Sequence, residues 1–279
     1  MIMFKLQNKL AVLLFLLTSV FGGATQAQTS AMPLKVLAEG SNSDVEKPFL
    51  AVARDVTVYN TLRAAVAPNL ENHSADYFET HAIIFAYLGQ RRSGGYSVNI
   101  VEKGNRFIVL ERAPAKGSMT TQALTTPFQV AEITLEHDAA LPLAFDTAWH
   151  NALTSYKVKQ GNFQMSGGFA GITEKFGIKG QIRTWTHGDL VTFVMDLQSV
   201  RGKAAHRLQS IATALVPQNT KVNLPYLHAD SFVQPPANVL VATGAFDRTR
   251  RKLTLKFASL PNSRIADGFE GKGQLIAQR

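Results

Sequence analysis

The sequence predicts a mostly β protein in two domains: an N-terminal α+β meander and a C-terminal antiparallel β-barrel or sandwich, joined by a short amphipathic helix. Three observations carry this. Residues 45–135 hold short apolar or alternating runs punctuated by Gly, Pro and Asn, with one helical stretch among them. Residues 141–154 switch to an apolar repeat of helical period. From residue 155 the two-residue alternation of half-buried strands returns and dominates.

The chain opens on what reads as an export signal. Lys5 and Lys9 form a positive start, Leu10 to Phe21 is an apolar run, and Gly22-Gly23-Ala24 breaks it before a small-x-Ala cleavage site at Thr25-Gln26-Ala27. The run is shorter than the roughly 20 residues that span a bilayer. Cleavage after Ala27 leaves 279 − 27 = 252 residues with a formal charge of +9 − 2 = +7. The expectation is a soluble periplasmic or secreted protein, not transmembrane after cleavage, with residues 28–44 as a small, polar lead-in. The charge either only keeps the chain soluble or, in an exported protein, meets surface polysaccharide, lipid head groups or acidic protein rather than nucleic acid.

The first domain is expected over 45–138. Asn60 caps a short helix, TLRAAVA, that stops before Pro68, with Leu62 and Val66 toward the core. Residues 80–88 are a buried strand. The turn Gly89-Gln90-Arg91-Arg92-Ser93-Gly94-Gly95 follows, then alternating strands at Tyr96–Val101 and Arg106–Leu110, and another from Phe128 to Leu135. In 141–154, Phe145, Ala148, Trp149, Ala152 and Leu153 form one helix stripe, with Pro142 at its start.

The second domain is expected over 139–279. Phe176, Ile178, Gly180, Ile182 and Thr184 share one strand face, with Lys175, Lys179 and Arg183 on the other. His187-Gly188-Asp189 turns the chain so that Leu190 to Leu197 pairs back. Val239–Phe246 and Lys252–Phe257 form a second hairpin. Phe169, Phe176, Trp185, Phe193, Phe246 and Phe257 are candidates for its core or for a pocket.

The absence of cysteine excludes a thiol nucleophile, a Cys-ligated zinc and an iron–sulfur cluster. The sequence carries no P-loop, no Gly-x-Ser-x-Gly elbow and no His-Glu-x-x-His. The glycines of Gly268–Gly273 read as a hairpin loop at positive φ. The seven histidines sit at no metal-ligand spacing, and no carboxylate pair stands out on like-facing positions. No metal, cofactor or catalytic residue is expected. The densest charge run, Arg248, Arg250, Arg251 and Lys252 around Thr249, sits in a hairpin turn; it either solvates a loop tip or touches an anionic surface.

Two stretches are more specific. Gly89-Gln-Arg-Arg-Ser-Gly94-Gly95-Tyr96-Ser-Val-Asn-Ile100 follows the acidic-aromatic Asp76-Tyr77-Phe78 and an apolar strand. Pro114 and then Thr121-Gln122-Ala123-Leu124-Thr125-Thr126-Pro127-Phe128 come later. In that order and spacing they resemble the PrcB C-terminal domain family, over about residues 45–135. The resemblance implies a non-catalytic accessory domain that binds or stabilises an exported protein, such as a protease. On their own physics the motifs allow two readings. One is structural: Gly94-Gly95 make a turn, Tyr96 opens a strand, and Pro127 starts an edge strand. In the other, Arg91, Arg92, Gly94, Gly95, Tyr96, Gln122, Thr125, Pro127 and Phe128 form a recognition surface. The remainder resembles lipocalin-like barrels only in strand pattern, so a carrier of a small apolar ligand stands as the alternative function, with an unrecognised hydrolase behind it.

Overall fold

A computed structural model of the chain describes residues 34–103, 106–135, 141, 143–167, 172–200, 207–217, 221–229, 238–259 and 270–279. The expected signal and cleavage site lie outside these residues, as do Pro142, Phe169 and the expected domain boundary near 138.

The N-terminal part is built on an antiparallel sheet of β1 (Leu34–Gly40), β2 (Phe49–Ala53), β3 (His81–Tyr87) and β6 (Phe128–Thr134), in the order β1-β6-β3-β2. A second layer pairs β4 (Ser97–Lys103) with β5 (Arg106–Arg112), and β5 runs parallel to β7 (Leu143–Phe145). The one α-helix among the described residues, α1 (Val56–Val66), buries Val58, Tyr59 and Leu62. Phe85 and Tyr87 of β3 face it: Phe85 lies 6.2 Å from the Tyr59 ring, and the Tyr87 hydroxyl donates to the Val66 carbonyl. On the opposite face Gln129 of β6 is buried, and its Oε1 accepts from the Ile100 amide at 2.6 Å.

The C-terminal part is an eight-stranded antiparallel barrel that is nearly closed. Its strands are β8 (Thr154–Gly167), β9 (Ile172–His187), β10 (Leu190–Val200), β11 (Arg207–Leu215), β12 (Lys221–Ala229), β13 (Asn238–Phe246), β14 (Lys252–Ser259) and β15 (Glu270–Gln278). They hydrogen-bond in the order β11-β10-β9-β8-β15-β14-β13-β12. Closure comes from β15 returning to β8, with Gly273 opposite Phe163 and Leu275 opposite Gly161. Alternate residues point inward. Phe163, Phe176, Phe193, Phe246 and Phe257 fill the interior with Leu224, Leu253 and Leu255. Pro225 falls where the β12–β13 register shifts, the place in a ladder where a missing N–H is tolerated.

The two parts share a buried seam. Part of the outer face of β9–β11 does not meet water: Trp185, Leu190, Val194 and Ile211 join the N-terminal core. Trp149 Nε1 donates to the Tyr87 carbonyl at 3.0 Å, and Trp185 Nε1 donates to the Trp149 carbonyl at 2.9 Å. The unpaired edge of β2 is closed here too, because the Val52 amide donates to Thr213 Oγ1 at 2.9 Å.

Several local expectations change. The helix begins at Val56, capped by Asp55, whose carboxylate accepts from the Val58 amide; Asn60 is an interior helix residue. The lead-in contains β1, whose half-exposed LKVLAEG carries no clean alternation. The first part is not a meander, since β6 inserts between β1 and β3. The joining helix shortens to a 3-10 turn, Thr147–Ala152, after β7, yet its stripe still buries Trp149. Trp185 points out of the barrel into the seam. Pro127 precedes an inner strand, not an edge one; it is accommodated because it lies one residue before the ladder and its carbonyl accepts from the Leu88 amide. Gly271 and Gly273 lie in β15, not a loop: a Cβ at either position would run into the Phe163 ring.

Candidate docking site

The two motif stretches close on each other. Beyond β3 the chain turns at Gly89 (φ 72°), and Arg91 pairs with Thr125: the Arg91 amide donates to the Thr125 carbonyl at 2.7 Å, and the Thr125 amide donates back at 3.0 Å. One turn further on, the Gly94 amide donates to the Thr121 carbonyl at 2.9 Å, and Thr125 Oγ1 donates to the Ser93 carbonyl at 3.0 Å. The glycine pair has two separate reasons. A Cβ on Gly94 would strike Thr121 Oγ1; Gly95 sits at φ 85° with Pro114 packed where its Cβ would be, 2.9 Å away. Thr126 clamps the base: its amide donates to the Ser41 carbonyl and its hydroxyl to the Ser43 carbonyl.

Within this joint the nine candidate residues divide. Gly94, Thr125 and Pro127 are buried in the contact between the stretches. Arg91 is a strut: Nε lies 3.0 Å from Glu111 Oε1, both side chains are about a fifth exposed, and the guanidinium sits 5.8 Å from the Tyr96 ring centre. Tyr96 and Phe128 are half-buried, and Phe128 stacks on Tyr87 at 5.6 Å. Arg92, Gly95 and Gln122 are exposed.

The joint holds out a loop, residues 113–124, that carries two residues the sequence reading passed over. Met119 is fully exposed, and Leu124 is 61% exposed. The loop has internal order: the Ser118 amide and hydroxyl both donate to the Ala115 carbonyl around Gly117 at φ 84°, the geometry of a type II turn. The available signal was Met119 itself, a large apolar side chain inside the small, polar run Lys116–Gln122. Both apolar side chains are thus held in water on an ordered loop.

Tyr77 is sandwiched between His73 and His81, at 3.8 and 4.3 Å, and donates its hydroxyl to Glu132. Burial first, and then the bond to Glu132, pushes the Tyr77 hydroxyl far above its usual range, and burial lowers His73. That stack keeps Tyr77 protonated and packs a corner. No group of three metal-ligating side chains occurs among the described residues. The basic hairpin tip is tied down by Asp247, which accepts from the Arg251 and Lys252 amides and from Thr249 Oγ1. Arg250 lies over the Phe246 ring, while Arg248, Arg251 and Lys252 are exposed.

Residues 82–134 match the family described as PrcB C-terminal. The match runs from the start of β3 to the end of β6 and so contains both motifs, the glycine pair and the exposed loop. Asp76-Tyr77-Phe78 lies just before it, and the barrel lies outside it. No curated protein and no solved structure matches the chain.

Proposed function

We propose that this chain is an exported, non-catalytic accessory protein that binds and stabilises an envelope protein, with a protease as the expected partner class. The PrcB-like part makes the contact and the barrel buttresses it. The observation that carries this is the exposure of Met119 and Leu124 on a loop whose C-terminal end is hydrogen-bonded, through Thr121 and Thr125, to the Arg91–Gly94 turn. Arg92 and Gln122 are the polar rim of the same surface; Arg91, Gly94, Thr125 and Pro127 hold its shape.

The test places a photo-crosslinking residue at Leu124 in the native envelope. A discrete adduct with an exported protein, lost in Met119→Asp but retained in Lys221→Gln, is the expected result. Met119→Asp melts like the parent chain, because Met119 touches nothing that holds the fold. No adduct, or one that Met119→Asp leaves unchanged, overturns the proposal.

The carrier alternative has less room. The described barrel interior is filled by side chains, and the hollow between Phe163, Phe176, Leu197, Leu208 and Phe257 leaves about 20 Å³ for the centres of water molecules. That is space for about one or two waters, against the several hundred Å³ of a typical ligand pocket.

A further inference from the structure

Charge is divided between the two parts of this chain. Residues 34–153 carry 10 Lys and Arg against 13 Asp and Glu, whereas residues 154–279 carry 17 against 7. The strands β9, β8, β15 and β14 hold eight Lys and Arg and two carboxylates, Glu174 and Glu270. Of the eight, Arg183 lies against His150 beside the seam.

The ladder registers set these side chains in rows across the strands. One row reads Lys175, Gln164, Lys272. The next reads Asn162, Gln274, Lys256, and a third Gln181, Lys157, Gln278, Lys252. Cations and amides alternate in the first and third rows, with neighbouring cations about 10 Å apart at two strand spacings of ~4.8 Å, while the second sets two amides beside one lysine. All but the half-buried Gln164 are exposed. The ion pairs Arg91–Glu111 and Arg207–Asp196 lie elsewhere. Of the row lysines, Lys252 has Asp247 beside it, whose Oδ1 accepts from the Lys252 amide at 3.0 Å.

We infer that this face is a binding surface for an anionic polysaccharide, such as a uronic acid polymer. The amides between the cations decide the occupant. A polyuronate offers hydroxyls between its carboxylates, so each row meets both kinds of group in turn. A bilayer surface fits less well: the rows curve around the barrel, and among the described residues the exposed large apolar ones, Val36, Met119, Leu124 and Leu215, all lie off these four strands. Single-stranded nucleic acid needs aromatic platforms, and the outward rows have none. Lysine rather than arginine also suits spaced point charges more than bidentate phosphate contacts. This surface is separate from the Met119 loop, so either proposal can fail alone.

The test is equilibrium binding of the full chain to polygalacturonate, with phosphatidylglycerol vesicles and duplex DNA as parallel arms. The chain is expected to bind polygalacturonate most tightly. Lys175→Gln/Lys256→Gln/Lys272→Gln weakens binding about ten-fold at low salt, since exposed charges act additively and weakly and three of them are removed. The charge-matched Lys35→Gln/Lys47→Gln/Lys103→Gln stays within two-fold. Gln164→Ala/Gln274→Ala/Gln278→Ala, which keeps every charge, also weakens the glycan complex. Equal losses in the two lysine variants reduce the effect to net charge and overturn the inference. Tighter binding to vesicles or DNA, no effect of the amide variant, or no binding at all overturns it as well.

Discussion

Replacing Thr213 by Val tests whether the barrel holds the N-terminal sheet through the backbone edge of β2. The substitution keeps the side-chain shape and removes one oxygen. That oxygen accepts from the Val52 amide at 2.9 Å and shares a second hydrogen bond with Thr192 Oγ1 at 2.9 Å. All three groups are buried, with exposures of 2, 3 and 0% for Val52, Thr213 and Thr192. Water therefore cannot step in. An orphaned buried donor costs about 1–3 kcal/mol, and the stranded Thr192 hydroxyl adds about 1. The added methyl returns part of this, leaving a net loss of about 2–3 kcal/mol. At roughly 2–4 °C per kcal/mol for a unit of this size, the melting temperature drops by about 5–10 °C. Thr192→Val alone leaves Thr213 free to accept from Val52 and costs only about 1 kcal/mol. In the double variant no hydroxyl is stranded, so it is no less stable than Thr213→Val and the two changes are not additive. Urea unfolding followed by circular dichroism reads all three, and hydrogen exchange reads the Val52 amide directly. If Thr213→Val lies within 0.5 kcal/mol of the parent, or matches Thr192→Val, the Val52 bond does not hold the seam.

Other expectations follow from the same geometry. Gly95→Val combines a positive φ with a Cβ 2.9 Å from Pro114 and costs about 2–4 kcal/mol; Gly117→Ala, at φ 84° with nothing within 4 Å, costs about 1, and chemical denaturation separates them. Gly273→Ala places a methyl against Phe163 and 2.6 Å from the Asn162 carbonyl, so it lowers barrel stability by several kcal/mol or gives no soluble protein. Burial lowers the pKa of His187, whose ring packs 5.3 Å from Phe49 at the seam. The folded state therefore takes up its proton less readily than the unfolded chain: this contribution is complete above the ordinary value of about 6.5 and is lost as pH falls below it. Thermal melts between pH 7.5 and 5 should fall more steeply for the parent than for His187→Phe, and parallel slopes would refute the assignment.

Much of this fold was legible because its cues are local. The alternation of Phe176, Ile178, Ile182 and Thr184 against Lys175, Lys179 and Arg183 put β9 and its two faces in view, and His187–Asp189 marked its hairpin. The stripe through Trp149 named a buried face even though the segment is a 3-10 turn, because burial follows the side chains more than the exact helical pitch. The glycine pair and the Thr-Pro run were legible as motifs, and their hydrogen-bonded contact accounts for their occurring together. The reading of β1 failed for want of pattern: its seven residues are held by pairing with β6, some ninety residues away. Asp55 was passed over as the helix cap because the apolar face of α1 starts at Val58, ahead of the stretch taken as helical. Met119 was legible only as an oddity, since exposure is a property of what does not pack against a side chain.

The sequence by itself determined which residues alternate, where the chain turns, and which segment carries the family likeness, because each depends on neighbours a few residues apart. Tertiary structure alone decided that the C-terminal strands form a barrel and not a sandwich, because that rests on β15 finding β8 across more than a hundred residues. It also decided that part of the outer face of β9–β11 is a core, since alternation marks two faces of a strand and cannot say which one another part of the chain will cover. The same holds for the lysine and glutamine rows, whose members lie far apart in sequence and become neighbours only through strand register.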